Sequence, residues 1–142
     1  MDLGRGGGFD CFLASPKVGA KGVVIGVDMT PEAISKARNN AEKNHFSNVE
    51  FRLGEIENLP VADSSVNVII SSCVINLSPN KRRLFQEAYR VLKGGRRLAI
   101  SYIVMTASLP VELQSDIQLY SGCISGASTI GDLVGFIEEA GF

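Results

Sequence analysis

Two cysteines and a cluster of glycines are the residues of this chain whose type and setting could do chemistry. Cys73 lies in SSCVINLSP, at the end of a strongly apolar run, and Cys123 lies in YSGCISGAS, among small residues that leave room around a thiol. A thiolate is a nucleophile and a ligand for soft centres, whereas an un-ionised cysteine is a small core residue; taken singly, either position reads both ways. The glycines are Gly4, Gly6 and Gly8, in G-x-G-x-G spacing just before a helix expected to begin at about Phe9. Such a loop admits positive φ and close backbone approach, so it can wrap a ligand against the start of the helix. Asp28 follows Gly8 by about 20 residues, at the end of the next strand, where a carboxylate can accept both hydroxyls of a ribose. Cys11 makes three cysteines, an odd number at wide spacing that builds no disulfide framework. The single histidine, His45, falls at the end of a surface helix and is assigned no catalytic part.

Positioning these groups requires a scaffold, and the pattern along the chain supplies one. Strand-length apolar runs alternate with helix-period segments, the order that builds a parallel sheet covered by helices. Gly22 to Asp28 reads as a buried strand. Thr30 is the expected cap of the next helix, with Pro31 at its first position, Glu32 at its positive end and Ala33, Ile34, Ala37 and Ala41 on its buried face, ending near Asn44. Asn48 to Leu53 is a third strand, and Ser65 to Leu77 contains a fourth that is apolar enough to be central. Ser78 is expected to cap and Pro79 to open a helix burying Leu84, Phe85, Ala88, Val91 and Leu92, with Gly94 and Gly95 ending it. Arg96 to Val104 is a fifth strand. Helices over Pro110 to Leu119 and Ile130 to Ala140 follow, the second capped by Thr129 and stopped by Gly141.

Composition narrows the class. The 142 residues suit one domain, 1–142, with a real core, and 45% hydrophobic against 20% charged residues is globular composition. Fourteen basic and fifteen acidic residues leave a net charge of −1 with no basic stripe, which argues against a nucleic-acid partner. No apolar run has membrane-span length and no signal-peptide order opens the chain, so a cytoplasmic location without membrane attachment is the expectation.

The spacing G-x-G-x-G after D-L, together with Asp28 and the segment GEIENLPVAD after the third strand, resembles the class I S-adenosylmethionine-dependent methyltransferases over essentially the whole chain. That resemblance implies a Rossmann-like α/β fold with a mostly parallel sheet between helices, and S-adenosylmethionine as methyl donor. On its pattern Gly4, Gly6 and Gly8 approach the methionine part and Asp2 helps hold its ammonium. Asp28 and Met29 flank ribose and adenine, and Glu55 and Ile56 border the adenine ring.

The local sequences CVINLSPNK, QEAYRVLK and SGCISGA, with FDCF around Cys11, are similar to the arsenite S-adenosylmethionine methyltransferases. In that family the cysteines matching Cys73 and Cys123 hold trivalent arsenic as substrate, and the one matching Cys11 is not among these two ligands. The resemblance therefore implies an enzyme of arsenic detoxification. It would take arsenite or an arsenic–thiol conjugate, with a thiol reductant such as thioredoxin or glutathione as partner. It places Cys73 and Cys123 as both the arsenic ligands and the catalytic pair.

The chain departs from the family at named points. Only Met1, Asp2 and Leu3 precede the glycine loop, so the first strand is expected to be a stub and the last two strands to be missing. Uncovered sheet edges would then favour self-association. Arg5 stands where a small residue is usual, toward the cofactor's sulfonium, and Ser101-Tyr102 stands where the family has S-D. Two alternatives stay open: a methyltransferase of a small organic acceptor, of the quinone-biosynthesis type, and a non-catalytic remnant that pairs with another chain. Loss of Cys73 and Cys123 would leave the first of these indifferent.

Overall fold

A computed structural model describes residues 1–4, 6–107, 110 and 117–142. Its elements run β1 Asp2–Leu3, α1 Phe9–Ala14, β2 Val24–Asp28, α2 Pro31–Lys43, β3 Val49–Leu53, β4 Val66–Ser72, α3 Lys81–Val91 and β5 Leu92–Ser101. Beyond these come β6 Val104–Met105, α4 Ile117–Ser121, β7 Ser128–Thr129 and α5 Ile130–Ala140. The first five strands form one parallel sheet in the order β3-β2-β1-β4-β5. The expected stub is therefore the centre of the sheet: Asp2 pairs with Gly26 and Ile70, and Leu3 with Val27 and Ser71. Strand order reverses between β1 and β4, the place where an open α/β sheet leaves a crevice beyond its carboxyl ends.

Apolar burial holds this arrangement. On one side Leu3, Val27 and Ile69 pack with Ala88, Val91 and Leu92; on the other, Val24 and Phe51 pack with Cys11, Ile34, Ala37 and Ala41. Ile75, Leu84 and Phe85 form a third cluster that α5 covers with Leu133, Phe136 and Ile137. Charged groups are buried among them too. Glu87, 1% exposed, accepts from the Leu59 amide at 2.8 Å and from Arg90 at 2.7 Å, and Arg90 also donates to the Leu59 and Val61 carbonyls. This staple fixes the loop after β3 against α3. The hydrogen bond from Arg90 holds the Glu87 carboxyl below the usual carboxylate range.

Several boundaries differ from expectation for identifiable reasons. Thr30 occupies the cap position of α2, but its side chain makes no capping bond; the Asp28 carboxylate instead accepts from the Thr30 amide at 2.9 Å. Asn80, not Ser78, caps α3, accepting from the Arg83 amide at 3.0 Å, so Pro79 precedes the helix rather than opening it. The Ser78 hydroxyl is engaged by Glu57. Gly94 and Gly95 do not end α3: the helix stops at Val91, and the glycines lie inside β5 where its register slips between the Val66–Leu92 and Val68–Arg97 pairs. Gly95, at φ +70°, takes the bend. β5 then ends at Ser101 rather than Val104, which pairs in a small second sheet, β6 with β7, that the sequence pattern did not announce. Of the helix expected over Pro110 to Leu119, 111–116 lie outside the described residues, and Arg5 does as well. Thr129 and Gly141 cap and stop α5 as expected. No helix among the described residues is long and apolar enough to cross a membrane.

Candidate functional site

The crevice beside β1 and β4 is a cleft of about 630 Å³. Gly4, Asp28, Met29, Glu55 and Ile56 line it, as does the segment after Cys73 through Val74 and Leu77, and Tyr120 closes it from α4. Five of the eight residues expected around a cofactor thus meet in one space. Gly4 must be glycine: it sits at φ +74°, and a Cβ there would come within 2.2 Å of Val74. Gly6 does not line the cleft; its bare backbone lies close to α2, where a Cβ would come within 3.1 Å of the Ala33 methyl, and Asp28 Oδ2 would be in ordinary contact at 3.7 Å. Gly8, at φ +79°, packs beneath Phe51 and Phe12 and serves the entry into α1. Asp2 is 2% exposed and accepts from the Cys11 thiol at 3.6 Å, on the side of β1 that faces α1. Burial and the Asp2 carboxylate push the Cys11 thiol well up, in keeping with a core residue. The cleft pairs a carboxylate at a strand end with apolar walls from Met29, Ile56, Val74 and Leu77. This donor set suits a ligand with a ribose and a flat base, and the volume is that of a small-molecule site.

Beside this cleft the two thiol-bearing turns converge. Cys73 follows β4 at φ +63° and leads into a 3-10 turn over Val74–Leu77; Cys123 follows α4 at φ +64°. Both side chains are half-buried. The Cys123 Sγ donates to the Cys73 carbonyl at 3.5 Å, so a pair separated by 50 positions in sequence meets in space. Burial pushes the Cys123 thiol above its ordinary value, and the nearby Cys73 adds to the rise. Cleft and thiols share parts. Val74 and Leu77 begin and end the turn that follows Cys73, and Tyr120 holds both sides, its hydroxyl donating to the Leu77 carbonyl and its own carbonyl accepting from the Cys123 amide at 2.9 Å.

Sequence reasoning missed the residues that tie these turns together. Asn76 is fully buried and bonds the Ile103 backbone through both ends of its carboxamide; Lys81 donates to the Ser78 carbonyl at 2.9 Å. The Tyr102 hydroxyl meets Ser128, donating to its Oγ at 3.1 Å and accepting from its amide at 3.3 Å. A buried asparagine in an otherwise apolar VINL turn was the available signal, because a buried carboxamide must find partners. His45 is exposed at the end of α2, away from both groupings.

Residues 1–141 match the family described as a methyltransferase domain. The arsenite methyltransferase of Halobacterium salinarum is 61% identical over 142 residues, the whole of this chain and 36% of that protein. That of Homo sapiens is 40% identical over 151 residues, again all of this chain and 40% of the relative. Among solved structures, CrArsM, an arsenic(III) S-adenosylmethionine methyltransferase from Chlamydomonas reinhardtii, superposes with a TM-score of 0.89 at 39% identity, over 99% of this chain and 50% of that one. The YcgJ protein of Bacillus subtilis does so with a TM-score of 0.84 at 26% identity, over 98% and 59%. The chain spans about two fifths of the length of these curated relatives.

Proposed function

From the premise that the chain belongs to the methyltransferase-domain family and carries its class I, Rossmann-like fold, we propose that it methylates trivalent arsenic with S-adenosylmethionine as donor. The observation that carries this reading is the meeting of Cys73 and Cys123 against the wall of the cleft. A methyltransferase of an organic acceptor needs no thiol at either place.

In the cleft, Asp28 would hold the ribose hydroxyls of the donor, Met29 and Ile56 would border its base, and Gly4 would let the backbone approach its amino-acid part. When bound, the donor supplies an electrophilic methyl group on a sulfonium sulfur. The thiols supply the acceptor's seat. Arsenic(III) is a soft centre, and each thiol that binds arsenite forms one As–S bond, its proton leaving with a displaced hydroxide as water. Two such bonds fix the arsenic and leave its lone pair unshared. The chain's part in the transfer is then proximity and orientation, which supply a large share of a barrier without a general base. A thiol reductant, thioredoxin or glutathione, completes the set of partners by keeping Cys73 and Cys123 reduced.

Two titrations test the assignment of roles. Asp28→Ala should weaken binding of S-adenosylmethionine at least about tenfold, the loss of a hydrogen-bonded charged acceptor, and leave arsenite uptake intact. Cys73→Ser should do the converse. A Cys73→Ser chain that takes up arsenite as the unaltered chain does would overturn the reading.

A further inference from the structure

Both thiol-bearing turns are pinned to one residue. The Cys73 carbonyl accepts from the Asn76 amide at 3.1 Å as well as from the Cys123 thiol, so Asn76 closes the turn that presents Cys73. Its carboxamide Nδ2 donates to the Ile103 carbonyl at 2.8 Å, which fixes the strand leaving β5. Its own carbonyl accepts from Lys81 Nζ at 3.4 Å and lies where Gly126 comes closest: a Cβ on Gly126 would stand 2.1 Å from the Asn76 oxygen. From Tyr120 to Ala127 the chain is wound in consecutive turns, with Cys123 bonded to Tyr120 and Ala127 to Ile124, so a displacement at Gly126 is carried to Cys123. Tyr120 adds a second pin at the other end through its hydroxyl on Leu77.

Resting on the arsenic reading above, we infer that Asn76, Gly126 and Tyr120 are positioning residues that set the spacing of Cys73 and Cys123 so that both reach one arsenic atom. None of the three is a ligand. Gly126 is glycine because the Cys123 turn must lie directly on the Asn76 carbonyl. An alanine there needs room that neither backbone can give, since peptide oxygen and Cβ cannot approach to 2.1 Å, and the turn must lift. Chelation is sensitive to this. Once the first thiol is bound, the second acts at an effective concentration set by geometry, and that advantage disappears when both cannot engage together.

Phenylarsine oxide is the probe. It condenses with two thiols, forming two As–S bonds and releasing the oxide oxygen with both thiol protons as one water. Its capture is compared with the rate at which a monofunctional alkylating agent modifies Cys73 and Cys123 one at a time. The unaltered chain should capture one equivalent much more tightly than Cys73→Ser or Cys123→Ser. Gly126→Ala should lose at least about tenfold in capture, toward the single-thiol level, while neither thiol is alkylated more slowly. A variant that was only destabilised would lower the melting temperature and leave the ratio of capture to alkylation unmoved. If Gly126→Ala does not fold, Tyr120→Phe decides: that side chain is 41% exposed, and losing its hydroxyl should weaken capture at least about threefold through the same chelate term. A folded Gly126→Ala chain, or failing that Tyr120→Phe, that captures like the unaltered chain overturns the inference and leaves the arsenic reading standing. An unaltered chain no better than its single-cysteine variants sinks both.

Discussion

Replacing Gly4 with alanine probes the contact between the glycine loop and the turn that presents Cys73. Gly4 is at φ +74° and its amide donates to the Val27 carbonyl at 2.8 Å, so the loop cannot relax without giving up that bond. A side chain in the left-handed region costs about 1–2 kcal/mol. The new Cβ would also lie 2.2 to 2.7 Å from three atoms of Val74, and overpacking of this kind costs about 1–3 kcal/mol. Together the loss is about 2–5 kcal/mol, a large fraction of an ordinary domain's stability. With a mid-range urea slope of about 2 kcal/mol/M, the midpoint should fall by roughly 1–2.5 M. Val74 follows Cys73 and lines the cleft, so S-adenosylmethionine binding should weaken in the fraction that remains folded. Gly7→Ala is the control: nothing stands within 4 Å of its Cβ and its φ is not positive, so it should be neutral or gain up to about 1 kcal/mol. Urea titrations of both variants decide the matter. If Gly4→Ala and Gly7→Ala share a midpoint, the loop does not bear on Val74 as described.

Alkylation of Cys123 should rise with pH around a midpoint above the usual thiol value of about 8.5, and Cys73→Ser should lower that midpoint by removing the neighbouring charge; equal midpoints, read by mass spectrometry, would contradict the shared site. Glu87→Gln should cost about 1.5–3 kcal/mol, the worth of hydrogen bonds to a charged group, with the loss read from urea midpoints at pH 7. Because the folded-state pKa of Glu87 lies below its unfolded value, its contribution is complete above about pH 5 and is lost as pH falls through the folded pKa. The Glu87→Gln penalty should therefore shrink in acid, and a penalty independent of pH would refute the charge argument. Among the described residues β5 pairs with β4 alone in its sheet, an open edge of the kind that recruits another strand; size-exclusion chromatography across a concentration series should show association, and a concentration-independent monomer would deny it.

The parts of the fold that were legible were those where local chemistry and tertiary packing agree. Pro31 and the Ile34, Ala37, Ala41 stripe mark α2 in the sequence and bury as that pattern requires. Thr129 and Gly141 bound α5 for the same reason. Sequence and structure part where a local signal is taken over by a distant partner. Ser78 and Pro79 have the form of a helix start, but Glu57 engages the Ser78 hydroxyl and Asn80 is left to cap. Gly94 and Gly95 resemble a helix stop, yet a register slip against β4 uses them inside a strand, and register belongs to the pair rather than to either strand. In the candidate site, Asp28, Cys73 and Cys123 stand out in the sequence through side-chain chemistry and flanking residues, and the fold places Asp28 in the cleft and the two cysteine turns beside it. Asn76, Tyr102 and Tyr120 do not stand out, because what they do depends on carbonyls and hydroxyls that only the fold brings near.

Methyl transfer itself is the most direct test of the central claim. The purified chain, S-adenosylmethionine with a labelled methyl group, arsenite and a thiol reductant are incubated together, and arsenic species are separated and counted by elemental detection alongside Cys73→Ser and Cys123→Ser. Seating of arsenic by Cys73 and Cys123 predicts labelled methylarsenic from the unaltered chain and none from either variant, with all three binding the donor equally. Labelled methylarsenic formed undiminished by both variants, or none from a folded chain that binds donor and arsenite, would contradict it.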